Sequence, residues 1–387
     1  MIPYGKQDVT KEDIDAVVSV LKSDFLTQGK EVPEFEQLLS AYCTSKYAVA
    51  VNSATSALHI ACLSLGLVKG DWLWTTPITF VASANCAIYC GAKVDFVDID
   101  VNTYNLSYYA LEEKLIKAEK EGKLPKIVVP VHFTGQSCEM KGIYKLSKKY
   151  GFKIIEDASH AIGGRYCGKP IGNCQYSDIT IFSFHPVKII TTGEGGAAVT
   201  NNKILYDKML LLRSHGITRD SGLINSKADE LWVYNQIELG FNYRMTDIQA
   251  SLGKSQIKRL NKYVSKRHKI AGVYNKSFDD LLITTPYQHT DTFSAYHLYV
   301  ICLRGRGALQ ILRKKLFNTL LKSKIGVNVH YIPVHLQPYY QKMGFKIGDF
   351  PNAEEYYNTA ISLPMYPTLD ITDQSYVVSE LRSFFVK

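Results

Sequence analysis

The sequence of 387 residues is long enough for one large domain and a smaller one, and its 46% hydrophobic and 21% charged residues are typical of a globular protein. The basic residues behind the formal net charge of +9 are scattered along the chain, which argues against nucleic acid as a partner, whereas the positive balance favours a polyanionic small molecule. The N-terminus has no apolar signal segment and no apolar run reaches the length of a membrane span, so we expect a cytoplasmic protein with no membrane partner.

The first two thirds of the chain alternate helical patterns with short apolar runs. Thr10 is placed to cap a helix over residues 11–22, and a second helical pattern passes through Phe35 and Leu39. Strand-like runs follow at 48–51, 93–97, 126–131, 152–155, 180–184 and 196–200. This alternation predicts an α/β fold with a mostly parallel sheet that is buried on both faces.

The pattern changes after about residue 255. A long helix rich in Lys and Arg is predicted from there to about Phe278. Shorter strands at 297–302 and 327–331 follow, with helices at 308–323, 352–361 and 372–385. We therefore expect a large domain over residues 1–255 and a smaller C-terminal α+β domain over residues 256–387.

Two residues that follow apolar strands carry the chemistry. Asp157 lies just after the run 152–155, at the carboxyl edge of the expected sheet, where open α/β sheets bind ligands. Lys188 follows the next strand, beside a glycine-rich segment at 193–196 that permits a tight turn near a ligand. The pair matches the needs of pyridoxal phosphate: a lysine for the Schiff base and a carboxylate that keeps the ring nitrogen protonated.

Two further segments suit the same cofactor. The segment 52–56 begins a helix, where free N–H groups and the helix dipole favour an anion such as a phosphate, although simple helix capping is an equal alternative. Phe80 could stack on a pyridine ring or belong to the core.

Two rival interpretations fail on context. The segment 193–198 formally fits a dinucleotide fingerprint, but it precedes a strand instead of joining a first strand to a helix. The eight cysteines lack histidines at zinc-ligand spacing, so we expect most of them to be buried thiols and we expect no metal site.

Taken in order along the chain, six motifs resemble one known family. They are Asn52-Ser-Ala-Thr-Ser56, Thr76-Pro-Ile-Thr-Phe80, Glu156-Asp-Ala-Ser-His160, Ser183-Phe-His-Pro-Val-Lys188, Glu194-Gly-Gly196 and Gly240-Phe-Asn-Tyr-Arg-Met-Thr-Asp247. They are similar to the nucleotide-sugar aminotransferases of the DegT/DnrJ/EryC1/StrS family. The resemblance implies a pyridoxal-phosphate-dependent transferase of fold type I, with a mostly parallel seven-stranded sheet, that works as a homodimer with active sites shared between subunits.

The resemblance also assigns expected roles to individual residues. It makes Lys188 the catalytic lysine, and it places Ala54, Thr55, Phe80, Asp157, His160, Ser183 and Asn242 around the cofactor, with Asn242 reaching in from the other subunit. Dehydratases of the family carry histidine where Lys188 stands, so the lysine favours transamination. For substrate binding the resemblance implies Tyr4, Asp24, Phe25, Leu26, Thr27, His330 and Tyr331.

The substrate-binding segments resemble those of family members that act on one class of nucleotide sugar. They imply transfer of an amino group from L-glutamate to C4 of a UDP-linked 4-keto-6-deoxy-N-acetylhexosamine. The product would be UDP-4-amino-4,6-dideoxy-N-acetyl-β-L-altrosamine, an intermediate of pseudaminic acid biosynthesis. The alternatives are a sugar of opposite C4 configuration, a dTDP- or GDP-linked 4-keto sugar, a dehydratase, or a catalytically silent cofactor-binding protein.

Overall fold

The computed structural model describes residues 1–219, 232–305 and 307–386. The helices in these ranges are α1 (Lys11–Leu21), α2 (Glu31–Cys43), α3 (Ala54–Ser64), α4 (Ala82–Tyr89), α5 (Tyr108–Glu121), α6 (Met140–Tyr150), α7 (Lys203–Arg213), α8 (Asp247–Ile257), α9 (Leu260–Ser277), α10 (Leu309–Lys322), α11 (Pro338–Gln341), α12 (Pro351–Thr359) and α13 (Ile371–Val386). Phe133–Gly135 and Val334–Leu336 form short 3-10 turns.

The strands of the same ranges form one large sheet and three small ones. They are β1 (Tyr47–Val51), β2 (Trp72–Thr75), β3 (Lys93–Phe96), β4 (Ile127–Val129), β5 (Lys153–Asp157), β6 (Arg165–Tyr166), β7 (Lys169–Pro170), β8 (Ile179–Ser183), β9 (Gly196–Thr200), β10 (Ile217–Thr218), β11 (Asn235–Gln236), β12 (Ile283–Thr284), β13 (Thr292–Phe293), β14 (Tyr299–Leu303) and β15 (Ala360–Leu363).

The large sheet has seven strands in the order β1-β9-β8-β5-β4-β2-β3. β9 runs antiparallel to both of its neighbours, and the pairings from β8 to β3 are all parallel. Helices cover both faces, and most of the strand residues are buried. The predicted mostly parallel, two-sided sheet is therefore confirmed, and the carboxyl ends of β5 and β8 meet at one edge.

The structure corrects four local predictions. β2, four residues long, was not among the predicted strands. The long helix expected after residue 255 is instead α8 followed by α9, with a break at Lys258 and Arg259. The predicted strand at 327–331 is wrong, since only Asn328 forms a single bridge, to Ser362. The helix predicted at 352–361 ends at Thr359, and its last residues begin β15.

The C-terminal part has its own antiparallel sheet, β12-β14-β15, with a separate apolar cluster. α9 contributes to two clusters: Leu260 and Val264 pack beneath the large sheet, whereas Ile270 and Tyr274 pack in the C-terminal cluster. Because one helix belongs to both cores, the expected boundary at 255 remains a prediction.

Two further observations concern the whole of the described chain. Its helices are all too short or too polar to serve as membrane spans. Each of the eight cysteines is a free thiol.

A buried ion pair holds α1 against α8. The Asp13 carboxylate is fully buried and accepts hydrogen bonds from Arg259 at 2.7 Å and from Gln256 at 2.7 Å. Burial works against ionisation of Asp13, but hydrogen bonds from Arg259 and Ser255 outweigh it and lower its pKa. The pair thereby fixes α1 relative to the junction between α8 and α9.

We predict that Arg259→Met lowers the free energy of unfolding by about 3 kcal/mol at pH 7, because it leaves a buried carboxylate without its cation. The pKa of Asp13 is lowered by folding, so the pair stabilises fully above about pH 4 and its effect is lost as the pH falls through the folded-state value. The free energies of unfolding of the wild type and the variant, measured by urea titration, should therefore differ at pH 7 and become equal in acid.

The exposed neighbour Lys258 provides the matched control, since Lys258→Met removes a cation from the same helix junction without touching Asp13. Equal stability of the wild type and Arg259→Met at pH 7 would contradict the assigned role of the pair.

Candidate active site

The carboxyl edge of the large sheet carries a pocket of about 660 Å³. β5 ends there at Asp157, and the loop after β8 brings Lys188 over the same edge. The first turn of α3 forms one side of the pocket, and a C-terminal segment with His330 and Tyr331 forms the opposite wall. The two parts of the chain thus enclose one site.

Lys188 presents its side chain to this pocket. The loop that carries it is closed by main-chain hydrogen bonds from Phe184 to Gly195 at 2.9 Å and from Thr192 to Phe184 at 3.0 Å. Its amine makes no hydrogen bond to any described residue. Burial lowers the pKa of Lys188 to about 8, although the charge of Asp157 opposes this shift. A substantial neutral fraction is therefore present at mildly alkaline pH, and a neutral amine is a nucleophile and a base.

Asp157 is held in one orientation by three donors. Ser159 donates to Oδ1 from its hydroxyl at 2.6 Å and from its N–H at 3.1 Å, and Ser83 donates to Oδ2 at 2.6 Å. Glu156 lies on the other face of β5, as strand alternation predicts, with its Oε2 2.7 Å from Nε2 of His132. The carboxylate that faces the pocket is therefore that of Asp157.

The start of α3 forms an anion cradle beside Ser183. Ser53 caps the helix by accepting the N–H of Ser56 at 3.1 Å, which leaves the N–H groups of Ala54 and Thr55 without an intrahelical acceptor. Such groups, together with the helix dipole, bind phosphates.

Gly196 allows this cradle to approach the sheet. It pairs with Ser183 across β8 and β9, and a Cβ at this position would collide with the main chain of Ser53 and Ala54. Only a glycine lets the helix start so close to the strand, and this closeness places Ser183 next to the free N–H groups.

Histidines and aromatic rings line the rest of the pocket. Nε2 of His160 lies 3.2 Å from the hydroxyl of Tyr331, and the ring of Phe80, more than half exposed, lies 6.4 Å from that of Tyr331. Burial, with smaller effects from Lys188 and His330, holds the pKa of His160 well below its usual range. Burial also lowers the pKa of His330 to about 4, and Lys188 adds to the effect. Both imidazoles are therefore neutral at pH 7.

The pocket gathers most of the residues that the sequence nominated. Those lining it are Tyr4, Ala54, Thr55, Phe80, Asp157, His160, Ser183, Lys188, His330 and Tyr331. The exposed residues Asp24, Phe25, Leu26 and Thr27 lie outside this lining. Asn242 is also exposed and outside the lining, and its carbonyl accepts a hydrogen bond from Asn52 at 3.4 Å. The expected roles of these five residues stay predictions.

Several pocket residues escaped the sequence analysis. Ser83 reaches Asp157 from α4, 74 positions earlier in the chain, and no local pattern marks it. Ser159 lies two positions after Asp157, and this spacing is typical of a local side-chain-to-backbone motif that could have identified it. His297 and Asn328 line the pocket from the C-terminal part, where only the fold brings them near Lys188.

The side chains present fit pyridoxal phosphate. The anion cradle suits its phosphate, the Asp157 carboxylate suits its ring nitrogen, and the Lys188 amine can bind its aldehyde carbon. In addition, Nδ1 of His160 is buried and has no hydrogen-bond partner among the described residues, so it can serve a ligand.

Comparisons with known proteins agree with this chemistry. The profile of the DegT/DnrJ/EryC1/StrS aminotransferase family matches residues 7–382. A UDP-4-amino-4,6-dideoxy-N-acetyl-beta-L-altrosamine transaminase of Campylobacter jejuni is 42% identical over 388 residues, covering 100% of this chain and 98% of its own.

Solved structures are similar over the same length. PseC of Helicobacter pylori, an aminotransferase involved in the biosynthesis of pseudoaminic acid, superposes with a TM-score of 0.91 at 32% identity, over 100% of this chain and 99% of its own. The PLP form of the sugar aminotransferase Spr1654 of Streptococcus pneumoniae gives a TM-score of 0.89 at 28% identity, over 100% and 98%. The chain therefore belongs to the DegT/DnrJ/EryC1/StrS aminotransferase family, whose cofactor is pyridoxal phosphate.

Proposed function

We propose that this protein transfers an amino group from L-glutamate to C4 of a UDP-linked 4-keto-6-deoxy-N-acetylhexosamine, giving UDP-4-amino-4,6-dideoxy-N-acetyl-β-L-altrosamine. The observation that carries the proposal is the pocket in which the Lys188 amine and the Asp157 carboxylate lie beside the anion cradle of α3. The likeness to the Campylobacter jejuni transaminase and to PseC supports this sugar.

The proposed chemistry divides between the cofactor and the chain. When bound, pyridoxal phosphate supplies an electron-accepting ring and carries the amino group between the two substrates. Lys188 removes the proton from the α-carbon of glutamate in the first half-reaction and returns a proton to C4 of the sugar in the second. One lysine serves both halves because they are the same proton transfer in opposite directions.

The other nominated residues bind and orient. In this proposal the N–H groups of Ala54 and Thr55 and the hydroxyl of Ser183 hold the phosphate, and Phe80 covers the ring. His160 faces the phenolic oxygen, where its neutral imidazole can donate or accept a hydrogen bond. Tyr4, His330 and Tyr331, which line the pocket, contact the sugar.

We further propose a homodimer whose sites are shared. Apolar residues that a soluble monomer would leave in water support an interface: Phe25 is 61% exposed and Leu239 76% exposed. Asn242 is exposed close to the start of α3, and a partner subunit could bring it to a phosphate. The segment 24–27 would reach the sugar in the same assembly. The free thiols support a location in the reducing cytoplasm.

The substrate is tested with a panel of UDP-, dTDP- and GDP-linked 4-keto sugars, each offered with L-glutamate. We expect the highest kcat/KM for the UDP-linked 4-keto-6-deoxy-N-acetylhexosamine, and NMR of the product should show the C4 configuration that belongs to the altro isomer. An amino group of opposite C4 configuration, or a preference for a dTDP- or GDP-linked sugar, would contradict the proposed substrate but leave the aminotransferase chemistry intact.

We predict that Asp157→Asn retains bound cofactor but lowers kcat by on the order of 10²–10³-fold, because a neutral amide cannot stabilise the protonated ring nitrogen. The matched control is Glu156→Gln, the neighbouring carboxylate, which is bound to His132, Ser177 and Thr180 on the opposite face. This control should change stability more than kcat. If the two effects on kcat were reversed, Glu156 would be the partner of the ring nitrogen.

We predict that two inactive variants, Lys188→Ala and Asn242→Asp, recover activity when mixed under conditions of subunit exchange. In a mixed dimer one site carries both substitutions and the other carries neither. Losing the hydrogen bond from Asn242 should by itself weaken cofactor binding by roughly ten- to a hundredfold, equivalent to about 1.5–3 kcal/mol.

The control for this experiment mixes Lys188→Ala with Asp157→Asn. Both residues lie in the pocket of one chain, so every site of that mixed dimer carries one lesion and activity stays low. Demonstrated exchange without recovery in the first mixture would contradict the shared site.

A further inference from the structure

His297 lies in the pocket wall, and no sequence motif nominated it. Its side chain is 4% exposed and lines the pocket next to His160, with ring centroids 4.4 Å apart and planes tilted by 51°. Its Nδ1 is buried and has no hydrogen-bond partner among the described residues. His297 therefore brings to the candidate site an imidazole with one buried nitrogen, Nδ1, that lacks a partner among the described residues.

The main chain around His297 is held by a buried cation. Arg267 of α9 is 1% exposed, and its Nη1 donates to the carbonyl oxygens of Tyr296 at 3.1 Å, His297 at 3.1 Å and Met365 at 2.9 Å. These contacts fix the backbone of His297 relative to α9 and to the segment that contains Met365.

A glycine fixes the spacing between the backbones of His160 and His297. Gly135 has a φ of +111°, and a Cβ there would lie 3.0 Å from the carbonyl oxygen of His160 and 3.1 Å from the N of His297. Main-chain hydrogen bonds from Ala295 to Gly135 at 3.0 Å and from Leu298 to Thr134 at 3.3 Å join the same segments. The two histidines therefore come from elements that are locked together.

The fold alone does not require an imidazole at this position. A buried nitrogen without a partner destabilises a protein, and an apolar side chain of similar size would avoid that cost. We therefore look for the role of the imidazole in its contacts within the pocket, where its ring lies against the ring of His160.

We propose that His297 is a positioning residue that fixes the orientation of the His160 ring toward the phenolic oxygen of the cofactor. The inference rests on the proposed function, which places His160 at that oxygen. His160 is then held on two sides, by the hydroxyl of Tyr331 at Nε2 and by the ring of His297. A histidine that cannot rotate keeps one tautomer and one hydrogen bond to its ligand.

The charges around the pair are consistent with neutral rings. Burial lowers the pKa of His297 well below its usual range, and His160, Lys188, Arg267 and His330 add to the effect. For His160, burial acts with Lys188 and His330. Two neutral imidazoles can pack at this distance without repulsion between like charges.

The test compares His297→Leu and His297→Gln with the wild-type holoenzyme in the absence of any sugar. We expect His297→Leu to shift the pH midpoint of the cofactor's absorbance titration by about one unit, while its Tm stays unchanged or rises. His297→Gln retains a polar atom and should shift the midpoint less. A wall residue of purely structural importance would instead lower Tm and leave the midpoint in place.

His268 provides the matched control. It is a half-buried histidine of the same region that does not line the pocket. Its Nε2 lies 2.7 Å from the carbonyl oxygen of Ser294, and its ring stacks on Phe293. His268→Leu should leave the midpoint unchanged. An unshifted midpoint in both His297 variants would overturn the proposal, and if His297→Leu fails to fold, His297→Gln decides alone.

A double-mutant cycle separates action through His160 from independent action. His160→Asn should shift the midpoint, and adding His297→Leu to it should produce no further shift. Additive shifts would show that His297 acts without His160 and would overturn the positioning role. Because no sugar is used, the result does not depend on the substrate; a wild-type protein that forms no covalent adduct with the cofactor would instead contradict the proposed function.

Discussion

The candidate site depends on the close approach of β9 to the first turn of α3. Gly196 lies against the main chain of Ser53 and Ala54, where a side chain would collide, and the same glycine pairs with Ser183 at the end of β8. β8 in turn pairs with β5 beside Asp157. One series of main-chain contacts therefore sets the spacing between the anion cradle and the backbones that carry the Ser183 hydroxyl and the Asp157 carboxylate.

Within this frame the electrostatics are simple. Burial lowers the pKa of Lys188 to about 8 and Asp157 limits the shift, while burial keeps His160 and His330 neutral at pH 7. None of the described residues that line the pocket is an arginine. An anionic ligand in this pocket would therefore meet one lysine, Lys188, and the uncharged N–H groups at the start of α3.

Features encoded by neighbouring residues could be predicted from the sequence, and features made by distant residues could not. Asp157 ends one apolar strand and Lys188 follows the next, and a parallel sheet brings the carboxyl ends of such strands together. The break between α8 and α9 has no local signal in the sequence, and Arg259 at this break pairs with Asp13, 246 positions away. The contact between Tyr331 and His160 spans 171 positions, so only the folded chain shows how the C-terminal part closes the pocket.

α9 has a consequence for the exchange of parts between related proteins. Its first turns pack Leu260 and Val264 under the large sheet, where Val264 lies against Gly163, and its last turns enter the C-terminal core. A chimera joined at the start of this helix would graft a foreign surface into the core beneath the sheet. A junction placed after Ser277, between α9 and β12, would transfer the C-terminal sheet together with the pocket wall of His330 and Tyr331. It would keep the native packing of α9 beneath the large sheet, and the transferred part would have to fit Ile270 and Tyr274.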